Sequence, residues 1–175
     1  MHIQPLGNLS RTHTCGELTV ADDGKDVVLL GWVHRLRDLG SLAFLDIRDR
    51  HGITQVVARD NPSLVEAVQE LRPEYVVAII GRVERRTPES VNPRLQTGEI
   101  EIELRDVRLL NEAKTPPFPI ADEGPVSEDT RLKYRYLDLR RSRMQNNMIL
   151  RHRSTMEIRK YFDANGFLEI ETPML

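Results

Sequence analysis

Apolar residues run continuously or alternate with polar residues in three consecutive segments of the first third of the chain. The segments cover residues 27–35, 42–48 and 53–58, and a glycine-containing turn occupies residues 50–52. Side chains of a strand point alternately to its two faces, so these runs predict β-strands. The short turn between the second and third runs is typical of a β-hairpin.

One helix and two further strands complete this region. Residues 61–63 resemble a helix start, and the apolar positions of 64–71 follow helical spacing. Strands are predicted at 75–86 and 99–109, separated by a loop rich in Pro, Asn and Ser. Five strands with a helix between the third and fourth form the order of an OB-fold, a Greek-key barrel that binds oligonucleotides or oligosaccharides. The strand count alone also fits an SH3-like barrel, so the helix position favours the OB-fold.

An aromatic residue lies on the polar face of the predicted second strand. Phe44 has the parity of the charged residues, and burial of the aliphatic residues turns its ring toward them. Arg35 and Arg37 precede it, and Gln55 lies on the next strand. A ring beside guanidinium and amide groups suits an unstacked nucleobase. Alternation alone equally permits Phe44 to cap a small apolar cluster with Leu42.

The last third of the chain has a different pattern. Residues 114–119 contain three prolines and predict a stiff, extended linker. The basic run 131–143 fits a solvated, ion-paired surface or a contact with RNA. A long helix is predicted over 142–165, followed by a left-handed glycine cap. The alternation at 168–171 predicts a short strand that ends at Pro173.

Composition narrows the possible classes of protein. The 175 residues are 39% hydrophobic and 30% charged, with a net charge of −2, which is typical of a globular protein. No apolar run approaches the roughly 20 residues of a membrane span. The single cysteine, Cys15, fits a reducing cytoplasm, and the five scattered histidines predict no zinc site. Residues 1–110 hold 14 Lys and Arg against 17 Asp and Glu, so nucleic-acid binding would need a local patch.

Four segments resemble a known family. GFLEIETPML at 166–175 resembles the first signature motif of class II aminoacyl-tRNA synthetases, and RLKYRYLDLRR at 131–141 resembles their class IIb subgroup. GWVHRLRDLGSLAFLDIRDRHGITQVV at 31–57 and KTPPFPI at 114–120 resemble the bacterial aspartyl-tRNA synthetases. The resemblance covers the chain except for about ten N-terminal residues.

The resemblance implies a mainly β fold with α elements: an OB-fold anticodon-binding domain at 1–110, a hinge at 111–130, and the start of the catalytic domain at 131–175. The intact enzyme would attach L-aspartate to tRNA-Asp through aspartyl-adenylate, using ATP and Mg²⁺, as a cytoplasmic homodimer. The second and third signature motifs have no counterpart here. We therefore expect an N-terminal fragment with no catalytic residue, no bound cofactor or metal, and no activity alone.

The same resemblance implies roles for residues of the barrel. Phe44 would provide the ring on which an anticodon base stacks, and Arg37 and Gln55 would contact bases. Glu101 matches an acidic position suited to guanine N–H donors, although alternation alone favours a solvated acidic face. Arg35 is assigned equally to a phosphate contact or to an ion pair with a neighbouring aspartate.

Two further positions bear on specificity. Leu39 and the loop 87–94 would flank the pocket for the third anticodon base, and some bacterial members aspartylate both tRNA-Asp and tRNA-Asn. Leu39 matches the strict members, which aspartylate only tRNA-Asp. Ser90 lies at a position where the strict members often have asparagine, and Asn92 is nearby. Tolerance of tRNA-Asn therefore stays open. Pro173 would belong to the dimer interface.

Three other interpretations compete with this one. A stand-alone, truncated synthetase-like module would bind RNA without charging it. A lysyl or asparaginyl synthetase fragment is disfavoured by the Asp-Leu-Gly turn and the KTPPFP hinge. A general single-strand-binding barrel is disfavoured by the acidic balance of the first 110 residues.

Overall fold

The computed structural model describes residues 2–121 and 124–173 of the chain. The chain divides into two compact units, Met1–Thr115 and Pro116–Leu175. No helix in the described ranges is long and apolar enough to cross a membrane.

The first unit is a closed five-stranded barrel with strand order β1-β2-β3-β5-β4. Neighbouring strands pair antiparallel except β3 and β5, whose parallel pairing closes the barrel. Helix α1 lies between β3 and β4 in the chain, as an OB-fold requires, so this prediction is confirmed. The elements are β1 (Asp26–Asp38), β2 (Ala43–Arg48), β3 (Ile53–Ala58), α1 (Pro62–Gln69), β4 (Val76–Arg85) and β5 (Ile100–Asn111).

Alternation along the strands builds the core inside the barrel. In β2, Ala43, Leu45 and Ile47 are fully buried, while the residues between them are partly exposed. Two glycines allow the strands to approach closely: a Cβ at Gly31 would lie 2.4 Å from the Arg48 carbonyl oxygen, and one at Gly81 would lie 2.3 Å from that of Glu103. Any side chain at Gly31 or Gly81 would force these strands apart.

Helix α1 packs on the barrel and supports the turn that joins β1 to β2. The Asn61 side chain caps its first turn by accepting hydrogen bonds from the following backbone amides, and Val65 and Val68 are buried. From the last turn of the helix, Gln69 Nε2 donates to Asp38 Oδ1 at 2.8 Å. The turn also contains Gly40 at φ +81°, a conformation that favours glycine.

The second unit is helical, with α2 (Glu128–Lys133), α3 (Arg135–Asp138) and α4 (Ser142–Ala164). Its buried Asp138 carboxylate accepts from Arg131 Nε at 2.9 Å and from Arg135 Nη1 at 2.8 Å. The Arg131 hydrogen bond is the main reason why the pKa of Asp138 lies below its usual range. Part of the basic run is therefore ion-paired within this unit.

The C-terminal prediction is only partly correct. Helix α4 forms, but none of its residues is buried. The expected strand at 168–171 is wrong, because residues 167–173 have no regular secondary structure, and Leu168 is 84% exposed. A strand needs a partner for its backbone hydrogen bonds, and the described part of the chain supplies none there. Residues 174–175 of the motif lie outside the described ranges.

Candidate nucleic-acid interface

The outer surface of the barrel brings together four of the residues singled out from the sequence. Phe44 on β2 is partly exposed, as its parity predicted, and Arg37 on β1 pairs opposite it. Gln55 on β3 and Glu101 on β5 are adjacent, because β3 and β5 pair in parallel. We call this set of Arg37, Phe44, Gln55 and Glu101 the polar–aromatic face.

Arg37 connects the aromatic and polar parts of this face. Its guanidinium carbon lies 5.2 Å from the centroid of the Phe44 ring, and its Nη2 donates to Gln55 Oε1 at 2.8 Å. A cation over an aromatic ring is attracted by the electron density of the ring face. Arg37 therefore covers one face of the Phe44 ring.

The Gln55 amide has one defined orientation. Arg37 can only donate and a carboxylate can only accept, so the Gln55 oxygen must face Arg37. The amide nitrogen then donates to Glu101 Oε2 at 3.2 Å. Gln55 is only 6% exposed, and this network presents its donors and acceptors in a fixed pattern.

Two further arginines lie beside Glu101. Arg86 Nε is 3.6 Å from Glu101 Oε2, and Arg59 Nη1 is 3.7 Å from Oε1. The Arg86 side chain is 3% exposed, and it donates to the Ile100 carbonyl at 2.9 Å and to the Ser90 carbonyl at 3.2 Å. Burial lowers the pKa of Arg86. Arg86 therefore ties the loop after β4 to the strand that carries Glu101.

Asp46 lies between Phe44 and Arg48 along β2 and pairs opposite Gln55. Its Oδ1 atom is buried, 3.6 Å from Arg37 Nη2, and has no hydrogen-bond partner among the described residues. Burial raises the pKa of Asp46, and the nearby Arg37 charge partly opposes that effect. Asp46 is thus a second acidic group next to the polar–aromatic face.

The other predicted site residues lie around this face rather than in it. Leu39 lies in the turn that joins β1 to β2, and its side chain is 66% exposed. This turn is at the end of the barrel where Ala43 pairs with Ala58. Ser90 and Asn92 belong to the loop at the opposite end of β3, where Thr97 Oγ1 donates to the Ile53 carbonyl.

The side chains of Ser90 and Asn92 make bonds within their own loop. Ser90 Oγ donates to the Thr87 carbonyl at 3.0 Å, and Asn92 Oδ1 accepts from the Arg94 amide at 3.1 Å. Arg35 is exposed and forms no ion pair with Asp38 or any other described residue. These four assignments, including Leu39, stay predictions.

Sequence reasoning missed Asp46, Arg59 and Arg86 as members of this region. The parity that identified Phe44 also applies to Asp46, and Arg59 continues the parity of Gln55 beyond the end of β3. Arg86 had no such signal, because its side chain folds back under the loop and is buried. Only the tertiary structure shows that all three surround the Gln55–Glu101 pair.

The face suits recognition of a base rather than general attraction of a polyanion. It offers a ring for stacking, an amide in a fixed orientation and a carboxylate between arginines. Stacking is tolerant of sequence, whereas hydrogen bonds to base edges discriminate. Among the residues that the structure describes, no group of three or more His, Cys, Asp or Glu could hold a metal ion.

Comparisons with known families match both units. The family described as "OB-fold nucleic acid binding domain" matches residues 27–110, and "tRNA synthetases class II (D, K and N)" matches residues 127–175. The fold and these matches define a class II aminoacyl-tRNA synthetase sequence with an N-terminal OB-fold.

Curated relatives narrow the family further. The chain is 56% identical over 99% of its length to an aspartate–tRNA(Asp/Asn) ligase of Moorella thermoacetica, and 54% identical over 98% to one of Caldanaerobacter subterraneus subsp. tengcongensis. It spans 29% of the length of each. The crystal structure of asparaginyl-tRNA synthetase from Pyrococcus horikoshii is 28% identical with a TM-score of 0.77, covering 92% of this chain and 37% of that one. The chain belongs to the aspartate–tRNA ligase family.

Proposed function

We propose that this chain is the anticodon-reading part of an enzyme that aspartylates tRNA-Asp. The observation that carries the proposal is the network in which Arg37 overlies Phe44 and fixes Gln55 against Glu101. This network lies within the matched OB-fold domain of an aspartate–tRNA ligase family member. No comparison supports a stand-alone binding module.

In this proposal, each group has a distinct role toward the GUC anticodon. Phe44 stacks one base, and Arg37, whose guanidinium has five N–H donors, contacts a base or phosphate while it holds Gln55. Glu101 accepts from the N1–H and N2–H groups of guanine, and adenine has no N–H donor at either of these two positions. Gln55 reads a base edge, and Arg35 contacts phosphate.

tRNA-Asn is proposed as a second substrate. The relatives named above are aspartate–tRNA(Asp/Asn) ligases, which supports this assignment. Its GUU anticodon differs from GUC only in the third base, which we assign to the turn that carries Leu39. Ser90 lies at the opposite end of β3 and has no part in this assignment. Leu39 resembles the strict members and does not favour tRNA-Asn as a substrate, so this proposal rests on the names of these relatives.

The intact enzyme would form aspartyl-adenylate from ATP and aspartate with Mg²⁺ and then acylate the tRNA, in the cytoplasm and as a homodimer. We assign no catalytic step to the described residues of this chain. Apolar side chains exposed on α4 and at 167–170 support a protein–protein interface in this region, with Pro173 beside it.

Binding of anticodon stem-loops to the chain tests the proposal. Loops carrying GUC, GUU and a scrambled anticodon are titrated at two salt concentrations. We expect GUC to bind more tightly than the scrambled loop at both, with GUU close to GUC. Equal binding of all loops that disappears at high salt would reduce the barrel to a phosphate-binding surface and contradict the proposal.

Gln55→Ala is expected to reduce discrimination more than affinity. A contact with a base edge carries sequence information, and each good one discriminates by about 1–3 kcal/mol. The measurement is the ratio of Kd values for the scrambled and GUC loops. Gln4→Ala removes an exposed amide in the N-terminal segment and serves as the control. Equal losses for cognate and scrambled loops would disprove an edge contact by Gln55.

A further inference from the structure

Arg59 follows β3 and is surrounded by carboxylates of β4 and β5. It forms an ion pair with Glu84, its Nη1 is 3.7 Å from Glu101 Oε1, and its Nε is 3.9 Å from Glu103 Oε1. The side chain is 35% exposed, so it reaches the outer surface beside the polar–aromatic face. One guanidinium thus serves three acidic groups on two strands.

The strand register explains why a cation is needed at this point. Glu84 on β4 pairs directly opposite Glu101 on β5, and like charges in this position repel. Glu103 lies two residues further on the same face, opposite Arg82. Without Arg59, Glu84 would lose its ion-pair partner, and the cluster of Glu84, Glu101 and Glu103 would become more negative beside the face proposed to bind RNA, although Arg86 still contacts Glu101.

Arg59 also acts on the orientation of Glu101. Oε1 of this carboxylate faces Arg59, while Oε2 accepts from Gln55 and faces Arg86. A carboxylate whose two oxygens each contact a different donor group has little freedom to rotate. Loss of Arg59 would leave Oε1 next to the Glu84 carboxylate, and repulsion between them would turn Glu101 away.

We propose that Arg59 is a positioning residue for base recognition: it holds the Glu101 carboxylate toward the base and neutralises the Glu84–Glu101–Glu103 cluster. This inference rests on the proposed anticodon-reading function. It assigns two separable effects to one side chain. Loss of the Arg59 charge would weaken binding of every RNA, and salt would screen this effect. The orientation effect acts only on the first anticodon base, through Glu101.

The test compares stem-loops with GUC and AUC, which differ in the base assigned to Glu101. Arg59→Gln is expected to lower the preference for GUC about fivefold or more, the size of one lost base contact. It also weakens binding of both loops, and that common loss shrinks at high salt. Arg105→Gln is the matched control, because Arg105 on β5 is similarly exposed and pairs with Asp26 rather than with a carboxylate of the cluster.

A double-mutant cycle identifies Glu101 as the residue through which Arg59 acts. In a Glu101→Gln background, Arg59→Gln should cause no further loss of preference for GUC, because both changes remove one contact. Arg59→Lys keeps the charge but not the planar fork, so it should retain overall affinity while the preference falls. Thermal melting of each variant checks that the barrel is folded, and Arg59→Lys carries the test if Arg59→Gln does not fold.

Failure of the proposed function and failure of the Arg59 inference give different results. If the unchanged chain binds GUC, AUC and scrambled loops equally, the proposed function fails and this inference fails with it. If it rejects the scrambled loop but binds GUC and AUC equally, the proposed function stands and this inference fails. If the unchanged chain prefers GUC and a folded Arg59 variant keeps the full preference, only the inference is wrong. Fully additive losses in the double variant, or an equal loss in Arg105→Gln, would overturn it as well.

Discussion

Phe44→Ala is expected to weaken binding of every anticodon stem-loop by about 1–3 kcal/mol, because each loop loses the same stacking surface. This corresponds to roughly a 5- to 150-fold increase in Kd. The loss should be similar for GUC, GUU and scrambled loops, since every base has a flat face. Isothermal titration of the three loops measures it directly.

Two control variants distinguish stacking from general apolar contact. Phe44→Leu keeps much of the apolar volume but has no ring, so it should behave nearly as Phe44→Ala. Phe167→Ala removes a ring that is 62% exposed in the second unit and should leave binding unchanged. Unchanged affinity in Phe44→Ala would remove the stacking role and most of the proposed site.

Ile79→Ala is expected to destabilise the barrel by about 2–5 kcal/mol, the usual cost of truncating a buried isoleucine. Ile79 is fully buried on β4. Its neighbour Ile80 points to the other face and is partly exposed, so Ile80→Ala should cost much less. Urea unfolding followed by the fluorescence of Trp32, the single tryptophan, reports on this unit. Equal losses at the two positions would contradict the assignment of faces.

Charge on the polar–aromatic face is arranged in pairs rather than as a basic patch. Arg37 lies near Asp46, and Arg59 and Arg86 flank Glu101. Such a face attracts RNA weakly from a distance but can satisfy specific donors and acceptors once a base is in place. This explains how an acidic domain can fit an RNA-reading role.

Alternation and turn signals in the sequence predicted the barrel and the direction of Phe44 correctly. These features are local: the parity of a strand follows from which residues are apolar, and α1 follows from its cap and spacing. The strand at 168–171 was predicted by the same rule and is wrong. Alternation indicates only that a segment could form a strand. The strand also needs a neighbouring strand for its backbone hydrogen bonds, and no described residue pairs with this segment.

By itself, the sequence determined the order of strands and helix, the face on which Phe44 lies and the family to which the chain belongs. Only the tertiary structure decided that Arg59 and Arg86 flank Glu101 and that Gln55 is held between Arg37 and this carboxylate. These contacts join residues from three strands, β1, β3 and β5, and from the segments that follow β3 and β4. They arise when β3 and β5 pair and close the barrel, and no periodicity along a single strand encodes such a long-range pairing.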